Sequence, residues 1–174
     1  MEKIKFVQGM YPERFLKQRV FCFPESEQKI VLTRSVLDVF FVYRQLGSAP
    51  EAGGLLFAEF DFPIIRIVEA SPPLSIDEQR RTLFVPNRAA QRWLIKKRFK
   101  EGLHFVGEWH SHPQDKPHPS GVDIKSMADS FLKSKHELNY FIMVILGNSL
   151  KNLELFVSVH NGSNYYDLKE IVSN

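Results

Sequence analysis

Gly107-Glu108-Trp109-His110-Ser111-His112-Pro113 runs through Pro117, His118 and Pro119 into Ser120-Gly121-Val122-Asp123, and this stretch decides the fold class. Leu103, Phe105, Val106 and Trp109 read as a strand approaching its end. Side chains two apart on a strand share a face, so His110 and His112 can offer two imidazoles to one ion while Ser111 faces the other way. Pro113, Pro117 and Pro119 rule out a continuous helix and force an irregular loop. Ser120 stands where a helix begins, with Asp123 three residues on and Met127, Phe131 and Leu132 as the apolar stripe behind. Taken alone, Ser120 and Asp123 are what a plain helix N-terminus uses, as cap and as first-turn acid. With the histidines, Asp123 completes a set of three ligands that leaves one tetrahedral position for water, the arrangement of catalytic rather than structural zinc.

Working outward, Val20–Phe23 and Lys29–Leu32 read as strands joined by a polar turn. Thr33 can cap a helix reaching about Leu46, with Val36, Leu37, Phe40 and Phe41 as its apolar face and Gly47 as its stop. Gly53–Phe60 and Ile64–Glu69 read as paired strands, and Ser71-Pro72-Pro73 opens a variable connection. Asn87 starts a basic helix to about Lys100, ended by Gly102. Beyond the strand Leu103–Trp109 and a helix Ser120–Ser134, Tyr140–Leu146 and Asn152–Val159 are strands, and Tyr165–Ile171 is a terminal strand or short helix. This mixed order predicts an α/β layer fold.

At 174 residues, with 44% hydrophobic and 13% aromatic side chains, the chain fits one packed domain. A formal net charge of +3 points to no particular partner. Lys96-Lys97-Arg98 and Lys100 alternate with Trp93, Leu94, Ile95 and Phe99, which predicts a solvated helix face rather than a nucleic-acid patch. Cys22 is the only cysteine, so no intramolecular disulfide or multi-cysteine zinc site is available; it is expected to be a buried, inert thiol. Met1-Glu2-Lys3-Ile4-Lys5 lacks the apolar core of a signal peptide, no run approaches membrane-spanning length, and the expected home is the cytoplasm.

The spacing H-x-H-x7-S-x-x-D, with Glu51-Ala52-Gly53-Gly54-Leu55-Leu56-Phe57 upstream, resembles the JAMM (MPN-plus) metalloproteases. The resemblance covers residues 20 to 170 and implies a single MPN domain, 20–174, with a curved mixed β-sheet flanked by helices in cytidine-deaminase-like layers. Residues 1–19 would form an N-terminal extension. It further implies Zn2+ on His110, His112 and Asp123, with Glu51 as general base and Ser120 helping to hold the substrate carbonyl and its oxyanion. The wording around Glu51 and His110 is similar to small bacterial proteases encoded beside ubiquitin-like activating and conjugating enzymes. CBASS deconjugases are one such group, and other bacterial conjugation operons carry a similar protease. The implied partners are a ubiquitin-like protein or its conjugate, a conjugated nucleotide cyclase among them, and the operon's activating and conjugating enzymes.

Several expectations follow for individual residues. Without the metal motif Glu51 would read as an exposed acid in the Ala49-Pro50 loop. Gly53 and Gly54 fit either a close backbone approach to a ligand or a simple bulge. Trp109 is expected in the core, Glu108 either on one imidazole or in solvent, and His118 in solvent outside the metal set. Gly53–Phe60 is the expected edge strand along which a substrate tail could add. No long insertion follows Asp123, so no dedicated lid is expected there. Alternatives to an isopeptidase are the maturation of a sulfur-carrier-like protein and a metal-free MPN scaffold. A zinc deaminase is disfavoured, because H-x-E followed by P-C-x-x-C is absent.

Overall fold

The computed structural model describes residues 18–171. The expected extension falls mostly outside them, as does the N-terminal stretch read for a leader. The strands are β1 (Arg19–Cys22), β2 (Lys29–Leu32), β3 (Gly53–Asp61), β4 (Ile64–Ala70), β5 (Glu78–Arg80), β6 (Leu83–Val85), β7 (His104–Ser111), β8 (Phe141–Leu146), β9 (Leu155–His160), β10 (Tyr165–Asp167) and β11 (Lys169–Ile171). The helices are α1 (Arg34–Val42), α2 (Arg88–Lys100) and α3 (Gly121–Lys133). Nine strands make one mixed sheet in the order β10-β9-β8-β7-β3-β4-β2-β1-β11, and β5 and β6 form a separate hairpin. Within the large sheet β7–β8 and β2–β4 are parallel and the other neighbours antiparallel.

β8 shows why the sheet has a layer on each face. All six of its residues are buried, as expected of a strand covered on both sides. Ile142, Val144 and Leu146 join Val36, Leu37 and Phe40 of α1 in the larger core, which also holds Trp109. Phe141, Met143 and Ile145 face the opposite way and pack against Met127 of α3. The mixed α/β sheet flanked by helices is therefore as expected from the sequence.

Several boundaries and burials differ from the sequence expectations. α1 ends at Val42 rather than Leu46, because Gln45 turns inward and donates its side-chain amide to the carbonyls of Ala49 and Arg81. Gly47 lies beyond that break, at φ +59°. α2 forms as expected, with the Asn87 side chain accepting the Ala90 amide, yet Trp93 and Phe99 are 64% and 66% exposed and Gln91 is its buried residue. The alternation of α2 thus does not bury its aromatics. Leu132 is likewise exposed, so the buried stripe of α3 narrows to Met127 with Phe131 partly covered. Cys22 is half-buried rather than buried. The connection after Ser71 contains the β5–β6 hairpin, which no hydrophobic alternation announced.

Candidate metal centre

β7 carries the histidines to the end of the sheet. It runs parallel to β8, with His110 opposite Ile145 and Ser111 opposite Leu146, and the His112 amide continues the ladder by donating to the Leu146 carbonyl at 2.9 Å. Both imidazoles therefore rest on the most buried strand of the molecule. The following loop is fastened to the β8–β9 turn, where the Asn148 amide donates to the Gln114 carbonyl at 2.8 Å. Ser120 then caps α3. Its Oγ accepts the Asp123 amide at 3.2 Å, and its own amide donates to Asp123 Oδ2 at 2.6 Å, a reciprocal capping box.

His110, His112 and Asp123 converge. The two Nε2 atoms are 3.1 Å apart, His110 Nε2 lies 3.3 Å from Asp123 Oδ1, and His112 Nε2 lies 3.4 Å from Asp123 Oδ2. Zinc bonds of about 2.05 Å at tetrahedral angles place ligand atoms about 3.3 Å apart. The donor set suits that ion and the two Nε2 atoms stand near that spacing, while Asp123 meets each histidine through a different oxygen. With one ligand atom from each, the three lie within 4.8 Å of one another and form the group of metal-ligand type among the described residues. His118 stays exposed, its ring near Phe156, outside the set.

The electrostatics of the cluster are strongly coupled. Burial opposes ionisation of Asp123, but hydrogen bonds with both histidines and with Ser120 outweigh it and hold the carboxyl well below the usual range. Burial disfavours the charged form of His112, yet the hydrogen bond and charge of Asp123, with Glu51 behind, raise its pKa. Glu51 is 9% exposed and lines the same pocket. Its pKa is raised by burial, and the two histidines pull it back only in part. Glu51 is thus a buried acid facing the cluster, not an exposed loop residue.

The segment bearing Glu51 is held from two sides. The Ser111 hydroxyl, on the face of β7 opposite the histidines, accepts the Ala52 amide at 2.9 Å, and the Ser111 amide donates to the Ala52 carbonyl at 2.8 Å. The Glu51 amide donates to the Arg80 carbonyl at 2.8 Å, which ties it to the hairpin. Sequence reasoning gave Ser111 no role; its only signal was its alternate position between the histidines.

Four further expectations are corrected or resolved. Glu108 does not hold an imidazole: its carboxylate accepts from Arg88 Nη1 at 2.9 Å. Gly53 and Gly54 are not the bulge, which falls at Leu56–Ala58. A Cβ on Gly54 would collide with Ser71, and one on Gly53 with the Phe84 ring, so these glycines admit protein neighbours. Trp109 is in the core as expected, donating Nε1–H to the Ser71 carbonyl at 3.0 Å beside Phe40 and Tyr43. Ser120 Oγ also donates to Asp123 Oδ2 at 2.7 Å, so capping is the role its hydroxyl plays in this structure.

A family profile described as prokaryotic homologs of the JAB domain matches residues 33–159, a span that includes Glu51, both histidines, Ser120 and Asp123. The chain belongs to this family. It is also similar to proteins named CD-NTase/cGAS isopeptidase. One, from Enterobacter hormaechei, is 33% identical over 120 residues, covering 68% of this chain and 67% of that protein. One from Pseudomonas aeruginosa is 30% identical over 138 residues, covering 75% and 85%. The solution structure of a Desulfitobacterium hafniense protein has the same fold, with a TM-score of 0.58 at 20% identity, covering 78% of this chain and 87% of that one. The JAB/MPN resemblance read from the motif is thereby borne out. Among the described residues no helix is long and apolar enough to cross a membrane.

Proposed function

We propose that this protein is a zinc-dependent isopeptidase that releases a ubiquitin-like modifier from a conjugate, in an operon of the CBASS type. The observation that carries the reading is the convergence of His110, His112 and Asp123, whose ligand atoms lie within 4.8 Å of one another, with Glu51 lining the same pocket. The relatives named CD-NTase/cGAS isopeptidase support both the bond type and a nucleotide cyclase as the conjugated protein.

Zinc, when bound by these three residues, would supply Lewis-acid polarisation and an acidified water. Glu51 would take the proton of the attacking water on its carboxylate and pass it to the departing lysine amine, for which a burial-raised pKa is apt. Ser120 would turn its hydroxyl from Asp123 towards the developing oxyanion, while its backbone amide keeps Asp123 in place.

The pocket encloses about 420 Å³ and is walled by Leu83 and Phe84 of the hairpin and by Val122 and Met127 of α3. A folded segment does not fit such a slot, whereas an extended tail does. β3 cannot pair with that tail as expected, because β7 and β4 occupy both its sides. The β5–β6 hairpin offers the nearer free edges, since each of its strands has one partner. The deciding experiment offers a ubiquitin-like protein joined through its C-terminus to a lysine side chain, the same protein with a short C-terminal peptide extension, and casein, read by intact mass. Cleavage of the lysine linkage supports the isopeptidase. Cleavage of the extension alone favours maturation of a carrier protein, and digestion of casein alone refutes both.

A further inference from the structure

α2 and α3 lie on the same face of the sheet, and both start at the metal pocket. Between them is a groove of about 790 Å³ floored by Leu55, Phe105 and Phe141, larger than the metal pocket and adjoining it. Arg88, Glu108, Val122 and Ser126 line both spaces. A chain seated in the first space would therefore meet the groove across those four residues.

The groove walls are basic. Two of its cations are matched internally, Arg88 by Glu108 and Lys133 by Asp129, each at 2.9 Å. Arg92 and Lys96 on α2 and Lys125 and Lys135 on the other wall line it as well, and none of these four has a direct ion pair among the described residues. No acid other than Glu108 and Asp129 lines the space. Four exposed like charges around one concave trough with an apolar floor favour an anionic occupant.

We propose that this groove docks an acidic, extended segment of polypeptide belonging to the protein cleaved at the metal centre. The apolar floor and Ile95 on the α2 wall call for an occupant that mixes acids with an apolar side chain, which a peptide does and a phosphate backbone does not. Trp93 and Phe99, the exposed aromatics of α2, do not line the groove, and the rings that do, Phe105, His136 and Phe141, are half-buried or buried, a poor platform for stacking successive bases of a single nucleic-acid strand. From Arg88 to Lys96 is about 12 Å along a helix, which accommodates about four residues of extended chain. That the segment belongs to the substrate rests on the isopeptidase reading; the preference of the groove for acid does not.

The test measures binding separately from cleavage. A fluorescent hexapeptide of Glu and Asp with one central Leu, its Gln/Asn counterpart and a labelled hexanucleotide are titrated by anisotropy against three proteins. These are the wild type, Glu51→Gln, and the triple variant Arg92→Glu/Lys96→Glu/Lys135→Glu, whose positions are all exposed. The acidic peptide should bind wild type and Glu51→Gln alike, weaken with salt, and lose at least about tenfold in affinity to the triple variant. Equal binding of the neutral peptide, or survival of acidic-peptide binding in the triple variant, overturns the site. Tighter binding of the hexanucleotide, lost in the triple variant, assigns the groove to nucleic acid instead. Binding without cleavage of any conjugate refutes the isopeptidase reading alone. If a conjugate is cleaved with KM unchanged in the triple variant, the bound segment is not the substrate's.

Discussion

The Ser111 hydroxyl accepts the amide hydrogen of Ala52 at 2.9 Å, so the residue between His110 and His112 positions the residue after Glu51. Ser111 is 0% exposed, and water cannot replace that bond. Ser111→Ala should therefore cost about 1–3 kcal/mol of stability, the price of an unsatisfied buried amide. It should lower kcat with zinc content unchanged, since the imidazoles keep their strand. Urea unfolding, metal analysis and turnover on one preparation check this. A variant as stable and as active as the parent would show that Ala52 does not depend on the serine.

Metal content is the most direct check on the centre. One zinc should bind per chain, and a strong chelator should abolish activity while far-UV circular dichroism stays native, because none of His110, His112 and Asp123 belongs to the hydrophobic core. Asp123→Ala should lose zinc, and His118→Ala should keep it. Full activity in chelator would remove the metal from the reaction.

Glu51→Gln preserves shape and removes the proton acceptor. It should retain zinc and bind the conjugate while turnover falls by about 10²–10⁴-fold. Ser120→Ala should be both slower and less stable, the cap alone being worth about 1 kcal/mol. Wild-type turnover in Glu51→Gln would place the base elsewhere.

His160 gives a pH dependence remote from the metal. Its ring is 1% exposed, bonded through Nε2 to Ser158 Oγ at 2.9 Å and stacked on Tyr165, and burial lowers its pKa to about 4. The unfolded chain, with a histidine pKa of about 6.5, takes up the proton first. The contribution is thus complete above about pH 6.5 and is lost as pH falls towards about 4, roughly 3 kcal/mol in all. Denaturation midpoints across that window should fall more steeply for wild type than for His160→Gln. Parallel curves would show that His160 protonates freely in the fold.

The sequence carried the parts of this fold that repeat a simple physical rule. β8 was legible as an unbroken apolar run, and α3 by Ser120 and Asp123 at capping distance. The histidine pair was legible because period-two geometry leaves little choice of face. The β5–β6 hairpin was not: Glu78, Gln79 and Arg80 carry no apolar alternation, since both faces of β5 are exposed. Nor could local pattern show that β3 lies inside the sheet, because the pairing of β7 with β3 joins strands about fifty residues apart in sequence. The exposure of Trp93 and Phe99 was hidden for the same reason: α2 touches the sheet near Gln91, and nothing in its own sequence says which side the sheet is on.

The burial of β8 on both faces also sets how an ion could leave. His110 and His112 hang from hydrogen bonds to a strand with no exposed residue, and such strands open only with the whole domain. Asp123 instead sits in the first turn of α3, where Gly121 and Val122 are exposed and helix ends fray. An ion held there would thus have two slow ligands and one fast one. Its residence time would be set by the Ser120 cap, and its way out would be the end of a helix.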